Sequence, residues 1–407
     1  MRVGIFAGTQ IPELGGGYTF ESQVLATLLK FAPQSHHKFV LYTFSQDIPE
    51  DLSYSHVQII SLARCFKQRT FQERLISKIR RTASAISRKR HSNKFKMDVA
   101  AKFVLDYLIQ NNTDITLSLS PYCLTMELPY ITVVWDLQHR LQPYFPEVST
   151  AGEWENREQS YTMMLKRASF IITGTQTGKE EIERFYQVPS ARIKVLPLPT
   201  PQFAFNSAQC DEKRVLEKYS LPENYLFYPA QFWSHKNHIG LLLASKWLRD
   251  KYNLVFPVVF SGSDKGNQIY IKQRVAELDL TEQVYFLGFV PQEDLIPLYR
   301  NAFALVFLSF FGPDNLPPLE AFAIGCPVVA SNVSGAQEQL GDAALLVDPK
   351  NTEQIALAIK SLWDDKTLRQ NLIQRGLVRA TKWTTQDYVK GIFSILDEFE
   401  AIRRCWL

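Results

Sequence analysis

Short apolar runs recur along the chain, separated by stretches with helical periodicity. In the first half they fall at 3–6, 39–44, 57–60, 115–119, 130–137, 170–173 and 193–196. In the second half they fall at 225–228, 257–260, 284–287, 304–308, 327–330 and 344–347. The runs are continuous Val, Ile, Leu and Phe rather than alternating apolar and polar, which is the signature of parallel strands covered on both faces. Segments such as 268–280 and 354–363 carry the three- and four-residue apolar spacing of amphipathic helices between them. The pattern predicts an α/β protein built from two Rossmann-like, doubly wound domains. A segment rich in Pro and small polar residues, 197–212, is the expected linker. The predicted division is an N-terminal domain over 1–205, a C-terminal domain over 206–384, and a last segment, 385–407, crossing back to pack on the first domain. Two such domains leave one central cleft, and ligands in open parallel sheets bind at the carboxyl ends of strands.

Glycine and proline sit at those ends. Residues 308–331 read LSFFGPDNLPPLEAFAIGCPVVAS: a strand end, a Gly/Pro/Asp/Asn loop, a helix opened by Pro317 and Pro318 with Glu320 in its expected first turn, then another strand. Proline is tolerated at a helix start because its missing N–H would be unpaired there, and the remaining N–H groups suit a phosphate. Glu320 would repel an anion but accepts hydrogen bonds from ribose hydroxyls, so the stretch predicts a nucleotide site that includes Asn315, Leu316 and Pro317. Gly15, Gly16 and Gly17 follow the first strand, where backbone can approach a diphosphate without Cβ interference.

Composition adds scale. With 407 residues, 46% hydrophobic and 21% charged, the chain can bury a large core. No apolar run reaches the ~20 residues of a membrane span, and the start, MRVGIFAG, reads as a buried strand, so a cytoplasmic location is expected. Cys65, Cys123, Cys210, Cys326 and Cys405 show no metal-ligand or disulfide spacing and are expected to be inert free thiols.

Charge changes the picture more. The net charge is +4, yet between Arg64 and Lys96 twelve Lys/Arg face one acidic residue, Glu73. Phe71, Leu75, Ile79, Ala83 and Ile86 would form one apolar stripe if that segment were helical. Such a helix can lie on an anionic membrane surface, or it can pack its stripe on its own domain with the bases in water, and both readings stand. Nucleic acid is not an expected partner, because one basic helix with few interleaved aromatics is a poor platform for it.

Taken together, these motifs resemble the retaining glycosyltransferases of family 4 (glycosyl transferases group 1), which have the GT-B fold. YPAQFWSHKNH (228–238) is similar to the family loop whose basic residue, here Lys236, meets the donor diphosphate. LGFVP (287–291) resembles the segment whose backbone, at Phe289 and Val290, reads the nucleobase. Glu320 stands at the ribose-binding carboxylate, and Gly16 and Gly17 lie in the family's glycine loop. VVWDLQHRLQPYFPE (133–147) resembles the strand end that faces the sugar, which makes Asp136 and His139 catalytic candidates with Lys236. The chain departs from the family at three places. Gly312 replaces a carboxylate eight residues before Glu320, with Asp314 nearby; Gln231 replaces a second cation; and Trp135 replaces a histidine for which His139 would substitute. Glu338, in SNVSGAQEQLG, is read either as a helix-start residue or as functional.

The resemblance implies transfer of a hexose, with mannose as one choice, from a UDP- or GDP-linked sugar to a lipid-linked or polysaccharide acceptor, with anomeric retention and no protein nucleophile. The sequence holds no Asp-x-Asp, so no metal and no other cofactor is expected. A catalytically degenerate GT-B module, or an epimerase or phosphorylase on the same scaffold, is the alternative. The basic segment 64–96 would favour a peripheral position on the cytoplasmic face of a membrane.

Overall fold

The computed structural model describes residues 1–6, 15–44, 57–63, 99–205 and 212–406. The basic segment 64–96 with its apolar stripe, Cys65 and Cys210 lie outside the described residues. Seven strands form the first sheet: β1 (Arg2–Phe6), β2 (Lys38–Thr43), β3 (Gln58–Ser61), β4 (Ile115–Ser118), β5 (Tyr130–Val134), β6 (Phe170–Thr173) and β7 (Ile193–Val195). Six form the second: β8 (Tyr225–Pro229), β9 (Val258–Ser261), β10 (Val284–Phe286), β11 (Ala302–Phe307), β12 (Val328–Ser331) and β13 (Ala344–Val347). Every predicted apolar run overlaps one of these strands. Strands β4, β5, β6 and β12 are buried at every residue, as continuous apolar runs require when helices cover both sheet faces.

All pairings are parallel, and the strand orders are 3-2-1-4-5-6-7 and 10-9-8-11-12-13. The winding direction therefore reverses between β1 and β4 in one sheet and between β8 and β11 in the other. At such switch points adjacent loops part and leave a crevice. The glycine loop follows β1, the Lys236 loop follows β8 and the FFGPDN loop follows β11, so three sequence motifs converge where the topology opens. The fold is α/β with two Rossmann-like domains facing a central cleft.

The helix Thr385–Arg403 packs across the chain onto the helix Gly16–Phe31. Thr384 and Asp387 form a capping box that fixes its start. Its buried face, Tyr388, Val389, Ile392, Ile395, Leu396 and Phe399, joins Val3, Ile5, Phe20, Val24 and Leu28 in one core. An added Cβ on Gly391 would lie 2.7 Å from Leu196, so the helix reaches this distance only with glycine there. The same core carries the helix whose first turn borders the cleft. Ile392→Ala is therefore expected to lower unfolding free energy by ~2–5 kcal/mol, read as a fall in urea midpoint. A loss under about 0.5 kcal/mol would contradict this docking.

Candidate functional site

One cavity of about 940 Å³ occupies the cleft, near the upper end of the ~300–1,000 Å³ common for small-molecule sites. Every residue predicted for the site lines it except His139: Gly16, Gly17, Asp136, Gln231, Lys236, Phe289, Val290, Asn315, Leu316, Pro317 and Glu320.

The Lys236 loop is rigid for reasons readable residue by residue. The Tyr228 hydroxyl donates to the Lys236 carbonyl and accepts from the Leu308 amide at 3.0 Å, which ties the loop to the adjoining strand ends. Asn237 takes the left-handed conformation, φ 52°, and its side chain accepts from Gly240 N and donates to Pro349 O at 2.9 Å. His238 stacks between Tyr228 and Phe232. Lys236 is left with its Nζ 5.1 Å from the Phe307 ring centroid, and among the described residues no carboxylate pairs with it. Burial pushes its ammonium down to about 8, against the pull of Asp136 and Glu147. An unpaired, partly desolvated cation on a cavity wall has the chemistry to take an anion.

The helix Leu316–Ile324 differs from expectation in two respects. Leu316 is its first residue, so Pro317 and Pro318 occupy the second and third positions and remove two donors. The helix start offers an anion chiefly the Leu316 amide and the dipole. Glu320 is the fifth residue, beyond the first turn, where a helix dipole has little hold on it. It is buried, lines the cavity, and accepts a hydrogen bond from the Tyr299 hydroxyl at 2.7 Å. Burial raises its carboxyl to about 7, opposed by the Tyr299 bond.

The loss of a carboxylate at Gly312 also has a structural reason. Gly312 has φ 112°, and a Cβ there would meet the Asn315 side chain at 2.8 Å. Asn315 Nδ2 donates to Gly312 O at 3.0 Å. The loop is rebuilt around that contact, and Asp314 is the residue that lines the cavity with a carboxylate.

On the opposite wall, Asp136 accepts from the Gln138 amide at 3.0 Å and from Arg157 at 3.3 Å. His139 does not substitute for Trp135. It is fully buried, 3.2 Å from the Tyr186 hydroxyl and packed on Tyr161, and it turns away because its helical turn carries it into the domain core. Its carbonyl accepts from Trp154 at 2.7 Å, so its role is to seat the segment behind Asp136.

Carboxylates help join the domains. Glu147 accepts from the His235 amide at 2.8 Å and contacts its ring Nδ1. Burial pushes Glu147 up, but the His235 hydrogen bonds outweigh it and hold the carboxyl low; burial likewise drives His235 down to about 4. Glu338 accepts from the Gln176 and Thr177 amides at 2.7 and 2.9 Å. It thus caps the helix Gln176–Tyr186 from the other domain.

Lys265 and Arg157 also line the cavity and were not among the predicted residues. Lys265 follows β9 in SGSDKGN, with its Nζ 5.7 Å from the Trp233 ring, and among the described residues it has no ion pair. Its strand-end position is the signal that would have found it. Arg157 lies on a helix and gives no such signal.

Residues 211–379 match the family model described as "Glycosyl transferases group 1". The chain is 30% identical over 243 residues to an O-antigen chain mannosyltransferase B of Escherichia coli, covering 60% of this chain and 64% of that protein. It is 32% identical over 201 residues to the O-antigen chain mannosyltransferase RfbU of Salmonella typhimurium, covering 49% and 52%. The matched part thus spans less than two thirds of either relative. Among solved structures, sucrose-phosphate synthase from Thermosynechococcus elongatus superposes with a TM-score of 0.72 at 17% identity, over 98% of this chain and 99% of that one.

The position of Glu320 predicts a stability cost that tracks pH. Its folded pKa of about 7 exceeds the ordinary 4.5, so the unfolded chain ionises first, and folding loses stability as pH rises between those values. Glu320→Gln is expected to stabilise the free protein by ~2–3 kcal/mol at pH 8 and by much less at pH 5 in urea unfolding. A gain equal at both pH values would contradict a buried, ionising Glu320.

Proposed function

Because residues 211–379 match the glycosyl transferases group 1 model and the two Rossmann-like domains leave one cleft, we propose that the chain transfers a hexose from a nucleoside diphosphate sugar to a glycan or lipid-linked acceptor. The observation that carries this reading is the Lys236 ammonium, without an ion pair among the described residues, in a cavity also lined by the helix start at Leu316, by Glu320 and by the half-exposed Phe289 ring. The cation and the helix start suit a diphosphate, the carboxylate and the ring a nucleoside. The two curated relatives named above are mannosyltransferases of O-antigen chains, which supports mannose as the hexose and a polysaccharide as the product.

In the proposed reaction the bond between the anomeric carbon and the diphosphate oxygen breaks, and negative charge grows on the leaving oxygen. Lys236, the Leu316 amide and Lys265 face that charge; donors preorganised in this way contribute ~3–4 kcal/mol each in comparable sites. The acceptor hydroxyl attacks the same face and gives its proton to the leaving phosphate, so the configuration is retained and no protein nucleophile is used. Asp136 faces the electron-poor anomeric centre. These cations do the work a metal would do, and metal independence is part of the proposal. Gln231 adds hydrogen bonding rather than charge, and Lys265 supplies the second cation. No described helix is long and apolar enough to cross a membrane. Peripheral attachment through 64–96 remains part of the proposed reading for a lipid-linked acceptor.

The test is Lys236→Ala and Glu320→Ala in the intact chain, with UDP, GDP, ADP and their sugars screened by thermal shift and transfer followed by product analysis. Each variant is expected to lower donor binding or transfer at least about tenfold, or ~1.4 kcal/mol. If neither does, the site is wrong. A chain that binds nucleotide sugar in calorimetry without transfer or hydrolysis would be a binding module instead.

The pH dependence has two limbs. Lys236 holds its charge below about 8 and loses it above, while Glu320 becomes a full acceptor for ribose hydroxyls only above about 7. Nucleotide affinity should therefore peak between these values. Lys236→Arg should abolish the alkaline limb, because guanidinium stays charged. A flat profile from pH 6 to 9 would contradict both assignments.

A further inference from the structure

Outside the cleft, four side chains converge where the last helix meets the N-terminal domain. His36 and His37 lie between the short 3₁₀ turn Ala32–Gln34 and β2, and Asp397 and Glu400 lie on the helix Thr385–Arg403. None of the four lines the cleft cavity. Adjacent side chains of an extended chain point to opposite sides. Here the backbone bends at 35–37, and the His37 amide donates to Ser35 Oγ at 3.2 Å, which fixes the bend. Both imidazoles therefore face the helix, with ring centroids 4.1 Å apart. His37 is seated against Phe39, whose ring packs in turn on Phe393 of that helix. Asp397 and Glu400 are three residues apart and share the helix face turned to the two rings.

The atoms that meet are those a metal ion needs. His37 Nε2 lies 3.0 Å and His36 Nε2 3.7 Å from Asp397 Oδ1, and these three atoms all lie within 4.8 Å of one another. Glu400 Oε2 is 2.9 Å from His36 Nε2. Tetrahedral zinc, with bonds of about 2.0–2.2 Å, holds its ligand atoms roughly 3.3–3.6 Å apart, close to this spacing. His36 and Asp397 are more than half exposed, which gives an ion a path in and lets both side chains adjust, while His37 is buried and fixed. The nearest cation sits behind the ligand atoms: the Met1 amino group contacts the other nitrogen of His37, Nδ1, at 3.4 Å and the other oxygen of Glu400 at 3.3 Å. Arg404 reaches Glu400 Oε2 at 3.1 Å, but its side chain is 70% exposed and can turn to water.

We propose that His36, His37 and Asp397, with Glu400 as the fourth ligand, form a zinc-binding site that clips the last helix to the N-terminal domain. Two imidazoles and two carboxylates suit zinc rather than magnesium or calcium, which take oxygen shells. The ion replaces hydrogen bonds among the same atoms with bonds that tie residue 37 to residue 397, and it stabilises the folded chain by mass action. The site takes no part in the proposed transfer, so either reading can fail without the other.

The experiment is calorimetry on the untagged full chain, stripped of metal with a chelator, at about pH 7.5, where imidazole is free to bind, with Zn²⁺, Mg²⁺ and Ca²⁺ as separate titrants. One equivalent of Zn²⁺ should bind with a dissociation constant below about 10 μM, and Mg²⁺ and Ca²⁺ should not. His36→Ala and Asp397→Asn alter exposed side chains and should fold, which circular dichroism checks, and each should weaken that equivalent at least about tenfold. Zn²⁺ should raise the Tm of the wild type and leave that of both variants unchanged. The first equivalent of Co²⁺ should give the visible absorption of a tetrahedral nitrogen and oxygen site without thiolate charge transfer, which sets the site apart from the cysteines. Binding weaker than about 10 μM would overturn the site and leave a pair of hydrogen-bonded histidines. Undiminished binding in either variant, or thiolate charge transfer with the first Co²⁺, would place the ion elsewhere and overturn it too. A bound ion that leaves the wild-type Tm unchanged would overturn the clip.

Discussion

An ammonium stripped of water and left without a carboxylate is unfavourable, and the cleft is organised around one. Lys236 feels the charges of Asp136 and Glu147, yet among the described residues neither pairs with it. Both carboxylates are occupied elsewhere. Asp136 is held by Arg157 and the Gln138 amide, and Glu147 by His235. The neighbouring carboxylates still keep the ammonium from losing its proton altogether, which is why its pKa stops near 8 rather than falling further. Folding stability is given up at this site, and the proposed diphosphate would meet a cation with no protein carboxylate to displace.

The same logic governs how the two domains meet. Their contacts use backbone donors that neither domain satisfies alone: the His235 amide goes to Glu147, and the first amides of Gln176–Tyr186 go to Glu338. Gln142 Nε2 donates to Phe310 O at 3.0 Å, and Phe145 packs against Phe310 and Phe311. These contacts set the cavity wall on which Lys236 and the FFGPDN loop stand. Opening the cleft would expose helix-end amides and aromatic surface to water, where they can be solvated at modest cost.

The strands were legible in the sequence because a parallel strand covered on both faces has nowhere to place a polar side chain, and the runs show it. The HKNH loop was legible through its resemblance to the family's diphosphate loop, and the structure puts Lys236 on the cavity wall. What could not be read depends on the other domain. Glu338 sits at the start of its own short helix, and nothing in SNVSGAQEQLG says that it caps a helix more than 150 residues away. His139 looked available because it follows Asp136 closely, but the turn 138–141 rotates it inward onto Tyr186. The helical position of Glu320 was displaced by one residue, out of the first turn, because the helix begins at Leu316 and the prolines fall at its second and third positions.

Gly312 is the most instructive departure. Read along the sequence, glycine in place of a carboxylate is a loss, and it invites the conclusion that the site has decayed. In the fold, the positive φ and the Asn315 side chain make glycine a requirement at this position. Asn315 is itself fixed, since its amide donates to Gln339 Oε1 at 2.9 Å while Gln339 Nε2 donates back to its carbonyl at 2.9 Å. Gly335, next to the helix that carries Gln339, leaves room for the Pro313 carbonyl, which a Cβ there would meet at 2.2 Å. The loop is thus clamped from the following strand–helix unit, and its carboxylate, Asp314, packs on the backbone of Gly174 in the opposite domain. Decay would leave a slack loop and an isolated glycine. A set of mutually dependent glycine, asparagine and glutamine contacts that ends in a cleft-lining aspartate is a different way of building the same wall.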